Sequence, residues 1–237
     1  MAKTLKDVRD HVRVYLDEVS AADWTDAQIN RAINNAYLDH YTDVVMVYED
    51  YYSTNALTGT VAGQQEYALP DDFYKIRRVE LNYEPSNPNA ISNRAVKVTI
   101  DDVLRDLGNQ GLSLTPHSRP GYYIRGNNIG FIPIPTETGD NCLSIWYITT
   151  IDDLSVDSDT LNLPFADNYA SNIALGAAGE LLRKGQQEEA VAAKYLSEYE
   201  FKKGKMIEEL KERAADWSKT VTDVVGNRLD FSDTLIF

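Results

Sequence analysis

Cysteine and long apolar segments are scarce in this sequence. Cys142 is the only cysteine among 237 residues, which excludes an internal disulfide and a zinc site built on cysteines. The longest apolar run, residues 44–48, is far shorter than the roughly 20 residues that span a bilayer. Residues 1–10 lack the apolar stretch of a secretory signal. We therefore expect synthesis in the reducing cytosol and no membrane association.

Basic residues are also few. Lys and Arg total 23 against 37 Asp and Glu, which gives a formal charge of −14. Proteins that grip DNA or RNA need clustered Lys and Arg, so this composition argues against tight nucleic-acid binding. It does not argue against a protein that surrounds DNA without holding it. Tyrosine, in contrast, is abundant with 15 copies, and it is favoured in protein–protein contacts as well as at core edges.

Recognisable catalytic and ligand-binding motifs are missing as well. Gly204-Lys205 is followed by Met206 instead of Ser or Thr, and no glycine-rich phosphate loop precedes it. The histidines have no ligand spacing, and the acidic cluster at residues 152–159 lacks the glycine of a calcium loop. We therefore predict a protein that is not an enzyme and needs no metal or cofactor.

Apolar periodicity predicts four helices, two near each end of the chain. They cover about residues 5–19, 25–52, 164–184 and 187–217. Thr4 is the expected N-cap of the first helix, and Thr25 forms a capping box with Gln28 at the second. The third helix is rich in Gly, Ala and Ser, and a mid-helix Gly costs roughly 1 kcal/mol relative to Ala. We therefore expect close packing of this helix, which forms an antiparallel hairpin with the fourth.

The second helix has a wide apolar arc with a flank of tyrosines. An arc of this width indicates two packing neighbours, the subunit's own core and a second chain. We therefore predict a subunit contact through the tyrosine flank, which consists of Tyr37, Tyr41, Tyr48 and Tyr52. His40 falls within the arc, and we interpret it as a buried core or interface histidine instead of a pH switch.

Between residues 57 and 163 the pattern is that of strands and turns. Residues 77–83 alternate between two faces as a half-buried strand does, with Arg77 on the same face as Val79. Gly126-Asn127-Asn128 predicts a hairpin. Further strands are predicted at residues 67–69, 96–100, 122–125, 129–134 and 143–151, and a short helix at residues 101–107.

These elements predict an α+β fold. An antiparallel bundle of about four helices carries an inserted small antiparallel β module of four to six strands. The bundle is discontinuous and takes residues 1–56 and 164–217, and the module takes residues 57–163. Residues 218–237 are predicted to be an extended C-terminal docking tail.

The tail is apolar, whereas chain ends are ordinarily polar. Five apolar residues crowd its final nine positions, namely Leu229, Phe231, Leu235, Ile236 and Phe237. Four of them share a period-two face, which suits an extended segment that adds to the edge of a partner's sheet. We predict docking on another chain, and the alternative that the tail folds back on its own subunit stays open.

Several short sequence segments occur at defined places in this order of helices and strands. They are Trp24-Thr25-Asp26-Ala27-Gln28-Ile29, Gln65-Glu66-Tyr67-Ala68-Leu69-Pro70-Asp71-Asp72-Phe73 before the strand Lys75–Tyr83, the hairpin Gly121-Tyr122-Tyr123-Ile124 with Gly130-Phe131-Ile132-Pro133, and Leu161-Asn162-Leu163-Pro164. With these features, about residues 4–217 of the chain resemble the head-to-tail adaptor (connector) proteins of tailed bacteriophages.

The resemblance implies a structural virion protein at the head–tail junction. Such a protein forms a homo-oligomeric ring, usually of twelve copies, that extends the channel of the portal protein and offers a surface to the next tail or nozzle protein. DNA would pass through it without tight binding, in keeping with the acidic charge. Two alternatives stay open: a virion-associated cell-wall hydrolase that uses Glu66 or Asp72, and a non-viral scaffold or binding module.

Overall fold

The computed structural model of the chain describes residues 3–18, 23–87, 92–99, 120–185 and 188–215. Within these ranges the protein is α+β, with four α-helices and eight β-strands. The chain divides into two compact units, which we call the helical unit (Met1–Tyr51 with Ile151–Phe237) and the β unit (Tyr52–Thr150). No helix of the described ranges is both long enough and apolar enough to cross a membrane.

The helical unit contains all four helices: α1 (Leu5–Tyr15), α2 (Asp26–Val47), α3 (Ala166–Lys184) and α4 (Glu189–Ala215). The α3 helix contacts each of the other three, and α2 also contacts α1 and α4. The apolar side chains buried between them include Leu5, Val8, Val12, Ile29, Ile33, Val44, Ile173, Leu175, Met206 and Leu210. Burial of this shared apolar face is the main force that holds short helices together.

The predicted caps of the first two helices are confirmed. Thr25 Oγ1 accepts a hydrogen bond from the N–H of Gln28 at 3.3 Å, and Gln28 Oε1 accepts one from the N–H of Thr25 at 2.9 Å. Thr4 and Asp7 form a second capping box at α1. Each box satisfies backbone donors that the first turn of a helix leaves without partners.

Three predicted helix boundaries were wrong, because residues beside the observed boundaries have backbone angles outside the helical region. The α1 helix ends at Tyr15 instead of near residue 19, since Asp17 has φ 53°. The α2 helix ends at Val47 and is followed by a 3-10 turn, Glu49–Tyr52. The α3 helix begins two residues after the predicted start, since Phe165 has φ 56°.

The β unit is built from eight strands: β1 (Ser53–Thr60), β2 (Glu66–Ala68), β3 (Phe73–Leu81), β4 (Asn93–Arg94), β5 (Val96–Lys97), β6 (Gly121–Arg125), β7 (Asn128–Ile132) and β8 (Gly139–Thr149). They form two four-stranded sheets in the orders β1-β8-β3-β4 and β2-β7-β6-β5. The two sheets share one apolar cluster, which includes Tyr67, Val79, Leu81, Tyr122, Ile129, Phe131, Leu143, Ile145 and Tyr147.

The predicted count of four to six antiparallel strands was wrong. The described residues hold eight strands, and β5 pairs with β6 in parallel. The strands that were not predicted are β1 and β4; β4 is only two residues long, which is too short for a period-two pattern, whereas β5 lies within the strand predicted at residues 96–100. The hairpin is confirmed, because β6 and β7 pair around Gly126 at φ 58°, a conformation that favours glycine. The predicted helix at residues 101–107 lies outside the described ranges.

Candidate interaction surfaces

The tyrosines that were predicted to contact a second subunit are mostly buried in their own chain. Tyr37, Tyr41 and Tyr52 are 3%, 5% and 4% exposed, and Tyr48 is half-buried. The hydroxyl of Tyr37 accepts a hydrogen bond from the backbone N–H of Asn162 at 3.0 Å, and burial raises the pKa of that hydroxyl. Three of the four side chains therefore have little surface left for a neighbour, and their subunit contact stays a prediction.

The predicted docking residues of the tail lie outside the described part of the chain. They are Leu229, Phe231, Leu235, Ile236 and Phe237. Their docking on a partner therefore also stays a prediction.

His40 lies at the centre of a buried polar cluster that joins three helices. The ring is fully buried, as predicted for a core histidine. Its Nδ1 lies 2.9 Å from the carbonyl oxygen of Ala36, and its Nε2 lies 3.2 Å from Nδ2 of Asn172 on α3. Nδ2 of Asn172 also donates to the carbonyl oxygen of Tyr199 on α4 at 3.3 Å. This pattern is that of a neutral imidazole, which donates from Nδ1 and accepts at Nε2.

Charged side chains of α2 and α4 continue this cluster toward the surface. The Tyr199 hydroxyl donates to Asp39 at 2.7 Å, and Nζ of Lys203 lies 2.7 Å from Asp39 and 3.3 Å from Asp43. Partial burial opposes ionisation of Asp39, but the hydrogen bonds from Lys203 and Tyr199 outweigh it and hold the pKa of Asp39 below its ordinary value. Burial lowers the pKa of His40 and outweighs the opposite influence of Ala36 and Asp39. The ring is therefore neutral at neutral pH.

The buried histidine should make the helical unit less stable in mild acid. As pH falls below about 6.5, the unfolded chain takes up a proton at His40 that the folded chain refuses. The free energy of unfolding should therefore fall by up to about 1.4 kcal/mol per pH unit until the folded-state pKa is reached. Denaturant unfolding at a series of pH values measures this slope. His40→Gln should flatten it, and the matched control His11→Gln, at an exposed position of α1, should not. An equal slope in His40→Gln contradicts the prediction.

The outward side of the β1-β8-β3-β4 sheet carries basic and aromatic side chains. Ile145 and Tyr147 of β8 belong to the apolar core. Trp146, between them, therefore lies on the opposite side of the strand, where it is 41% exposed. Its register partner on β3 is Arg78, which is exposed and forms an ion pair with Glu80.

Two irregularities in β3 place further exposed side chains on that strand. The register with β8 shifts between Phe73 and Lys75 and again between Ile76 and Arg78, so Tyr74 and Arg77 are extra residues. Such bulges re-aim side chains. The prediction that Arg77 shares the buried face of Val79 was wrong for this reason, since Arg77 is exposed. The exposed residues are Tyr74, Lys75, Arg77, Arg78 and Trp146, and each of the three basic side chains already has a partner within its own chain.

The outer surface of α1 is acidic. Asp10 and Val14 lie one turn apart and Asp17 follows the helix; all three are exposed, and Val14 is 76% exposed. Together with Arg13 and Glu18 they line an open cavity of about 320 Å³, and we call these five residues the acidic face. Arg13 is already paired within its own chain, with Glu18 at 3.3 Å and with a carboxylate of α2 at 2.5 Å. The net charge of this face is therefore negative.

The family to which the chain belongs follows from its similarity to a known family. One family model, described as the SU10 adaptor protein, matches residues 3–225. The chain belongs to this bacteriophage adaptor family. The resemblance inferred from the sequence is confirmed at the level of the family, and membership gives this adaptor a structural role in the virion. No curated protein matches the chain.

The carboxylates that were considered for catalysis are engaged in structural contacts of the adaptor. Glu66 accepts hydrogen bonds from the Tyr123 hydroxyl at 2.9 Å and from Arg125 at 2.6 Å, and Asp72 accepts one from the Tyr147 hydroxyl at 2.8 Å. The bonds from Arg125 and then Tyr123 lower the pKa of Glu66, whereas a general acid at a glycosidic bond needs a raised pKa. Among the described residues, no group of three or more His, Cys, Asp and Glu is placed to hold a metal ion.

Proposed function

We propose that the chain forms a ring beneath the phage portal, extends the DNA channel and provides the surface on which the tail or nozzle protein attaches. The family match over residues 3–225 carries this proposal. The ring contains twelve copies, as the resemblance to head-to-tail adaptors implies. The protein is made in the host cytoplasm and resides at the head–tail junction.

The net negative charge of the chain supports a channel through which DNA passes without being bound. The whole chain has a formal charge of −14. The helical unit carries most of it, with 27 acidic and 15 basic residues against 10 and 8 in the β unit. An acidic wall repels the phosphate backbone, so DNA passes without being bound.

The proposal includes how the helices and the strands are divided along the chain. The four helices act as one discontinuous bundle, and the β module is an insertion between its halves; the boundary expected between residues 56 and 57 falls inside β1, so the module begins with that strand. The mutual contacts of the helices support the bundle. The pairing of β1 with β8 supports the insertion, because it makes the first and last strands of the module neighbours.

We expect the ring to assemble only when the portal protein is present. Isolated protein should be monomeric or weakly associated at micromolar concentration, because the −14 charge of each copy repels its neighbours until a template offsets that repulsion. Light scattering with and without purified portal, followed by electron microscopy of the mixture, measures this. A stable ring without portal contradicts the templating, and no ring on the portal contradicts the proposed function.

Duplex DNA should not bind measurably. A fluorescent linear duplex at physiological salt should keep its anisotropy on addition of the protein, because binding to phosphates needs a cationic surface that outweighs the net negative charge. A basic DNA-binding protein serves as the positive control. Tight, salt-sensitive binding contradicts an acidic conduit.

A further inference from the structure

The strand β1 is the longest edge strand of the two described sheets. It has eight residues, whereas the other edge strands, β4, β2 and β5, have only two or three. Within the described ranges, no strand pairs with the side of β1 that faces away from β8. Proteins protect such edges with charged residues, proline or short length, but β1 has no charged residue and no proline in a chain that is 25% charged. This edge is therefore suited to pairing with an added strand.

The apolar core is incompletely closed along the same strand. Residues directly opposite each other in an antiparallel pair lie on the same side of the sheet. Ala56 of β1 lies opposite Ile145 of β8, which belongs to the apolar core. Thr58 lies opposite Leu143, another core residue, so both β1 residues lie on the core side. The two β8 side chains are buried, whereas Ala56 is only half-buried and Thr58 is exposed. These small residues leave space beside them for larger apolar side chains.

The apolar tail segment, residues 229–237, has the length and the pattern that this edge requires. Its nine residues match the eight of β1. Every second position carries a large apolar side chain except Asp233, and the positions between them are polar except Ile236. A strand that covers a core with one face and meets solvent with the other has this alternation.

The tail segment is also long enough in its connection to reach a second copy. Thirteen residues, 216–228, separate it from the end of α4 at Ala215. A chain of that length spans up to about 43 Å when extended, which exceeds the roughly 30 Å diameter of a small domain.

We propose that the tail segment of one copy adds a strand to the β1 edge of a second copy. The proposal rests on the proposed ring and names a contact that builds it. Because the tail segment and the edge differ, the contact is heterologous: each copy offers one of each to its two neighbours, and such a chain closes into a ring. A tail segment on its own edge would join no copies, so exchange gains additional contacts where the portal holds the copies side by side. Loss of the tail then unlinks the ring and removes its attachment.

The side chains favour one register of this pairing. The single carboxylate of the apolar side, Asp233, fits opposite Thr58, because that position is exposed and its hydroxyl can donate to the carboxylate. In an antiparallel pair, which is the more stable kind, Leu235 then lies opposite Ala56. A large apolar side chain is thereby placed beside a small one. Thr234 lies opposite Leu57, which is 59% exposed, and both project from the outer side of the sheet.

The test is a cross-link between two different single variants of the full chain. Leu57→Cys and Thr234→Cys are mixed in equal amounts with purified portal, and a short bismaleimide is added. Each copy carries only one of the new thiols and the native Cys142 is buried, so a link between positions 57 and 234 joins two copies. The mixture should give at least about tenfold more linked dimer than either variant alone, because the two thiols lie on adjacent strands.

The matched control moves the first thiol to the opposite edge of the same sheet. Arg94 is exposed on β4, and Arg94→Cys mixed with Thr234→Cys should give no more linked dimer than either variant alone. Equal linking from both edges means unspecific contact and overturns the proposal.

A charge swap tests the register. Thr58→Glu, added to the Leu57→Cys variant, places a like charge opposite Asp233 and should reduce the linked dimer by about fivefold. Asp233→Lys, added to the Thr234→Cys variant, should restore the yield, because the two positions then carry opposite charges. A yield that Asp233→Lys does not restore overturns the pairing.

Further arms separate this inference from other occupants of the edge and from the proposed function. If the double variant Leu57→Cys/Thr234→Cys links only within one copy, the tail segment covers its own edge and the proposal is wrong. If a ring forms on the portal but the mixed variants give no linked dimer, the tail segment binds elsewhere, for example on the portal; the contact then falls and the proposed function stands. If wild-type protein forms no ring on the portal, the proposed function fails, and this inference fails with it.

Discussion

Gly176→Ala should destabilise the protein, although alanine is the better helix former. A Cβ atom at position 176 would lie 2.7 Å and 2.8 Å from two ring carbons of Tyr199 on α4, so the ring must move. That ring also carries the hydroxyl that donates to Asp39 at 2.7 Å. Overpacking of this kind costs typically 1–3 kcal/mol, and the better helix propensity of alanine recovers about 1 kcal/mol, so we expect a net loss of about 1 kcal/mol in the free energy of unfolding.

A second glycine provides the matched control for this measurement. Gly204 lies within α4, and a Cβ atom there would have no heavy atom within 4 Å. Gly204→Ala should therefore stabilise the protein by about 1 kcal/mol through helix propensity alone. Denaturant unfolding of both variants measures the difference. If Gly176→Ala also stabilises, the close approach of α3 to α4 does not limit the size of the side chain.

The predictions that the structure confirms rest on residues that lie close together in the sequence. The capping box at Thr25 and the hairpin at Gly126 depend on residues within a few positions of each other, and both are present. The close packing expected for the small residues of α3 is also present, at Gly176 against Tyr199. A glycine in mid-helix is costly, so the sequence itself indicated that something near it needed the space.

Features that depend on distant parts of the chain could not be predicted. His40 meets Asn172, which is 132 positions away, and Tyr37 meets Asn162, which is 125 positions away. No spacing in the sequence reveals such partners, so a buried tyrosine and an interface tyrosine look the same. The exposure of Arg77 depends on a register shift between β3 and β8. An alternating pattern cannot indicate where a strand gains an extra residue.

Loss of the apolar tail residues should abolish attachment to the portal. Burial of five apolar side chains yields about 8–15 kcal/mol, at 1.5–3 kcal/mol each. Ordering the final nine residues costs about 9–18 kcal/mol, at 1–2 kcal/mol each. One tail therefore gains little from docking. Many tails in one ring gain by multivalency, which amplifies affinity by factors of about 100–10,000. Truncation after Trp217 should thus remove attachment while the melting temperature stays nearly unchanged.

A substitution variant locates the effect on one face of the tail. Replacement of Leu229, Phe231, Leu235 and Phe237 by Ser removes the period-two apolar face at constant length. The matched control, Ser232→Ala/Thr234→Ala, changes the opposite face. Co-sedimentation with portal should show attachment about a hundredfold weaker in the first variant and unchanged in the control. A large fall in melting temperature would mean that the tail belongs to its own subunit's fold, and normal attachment would mean that the anchor lies elsewhere in the chain.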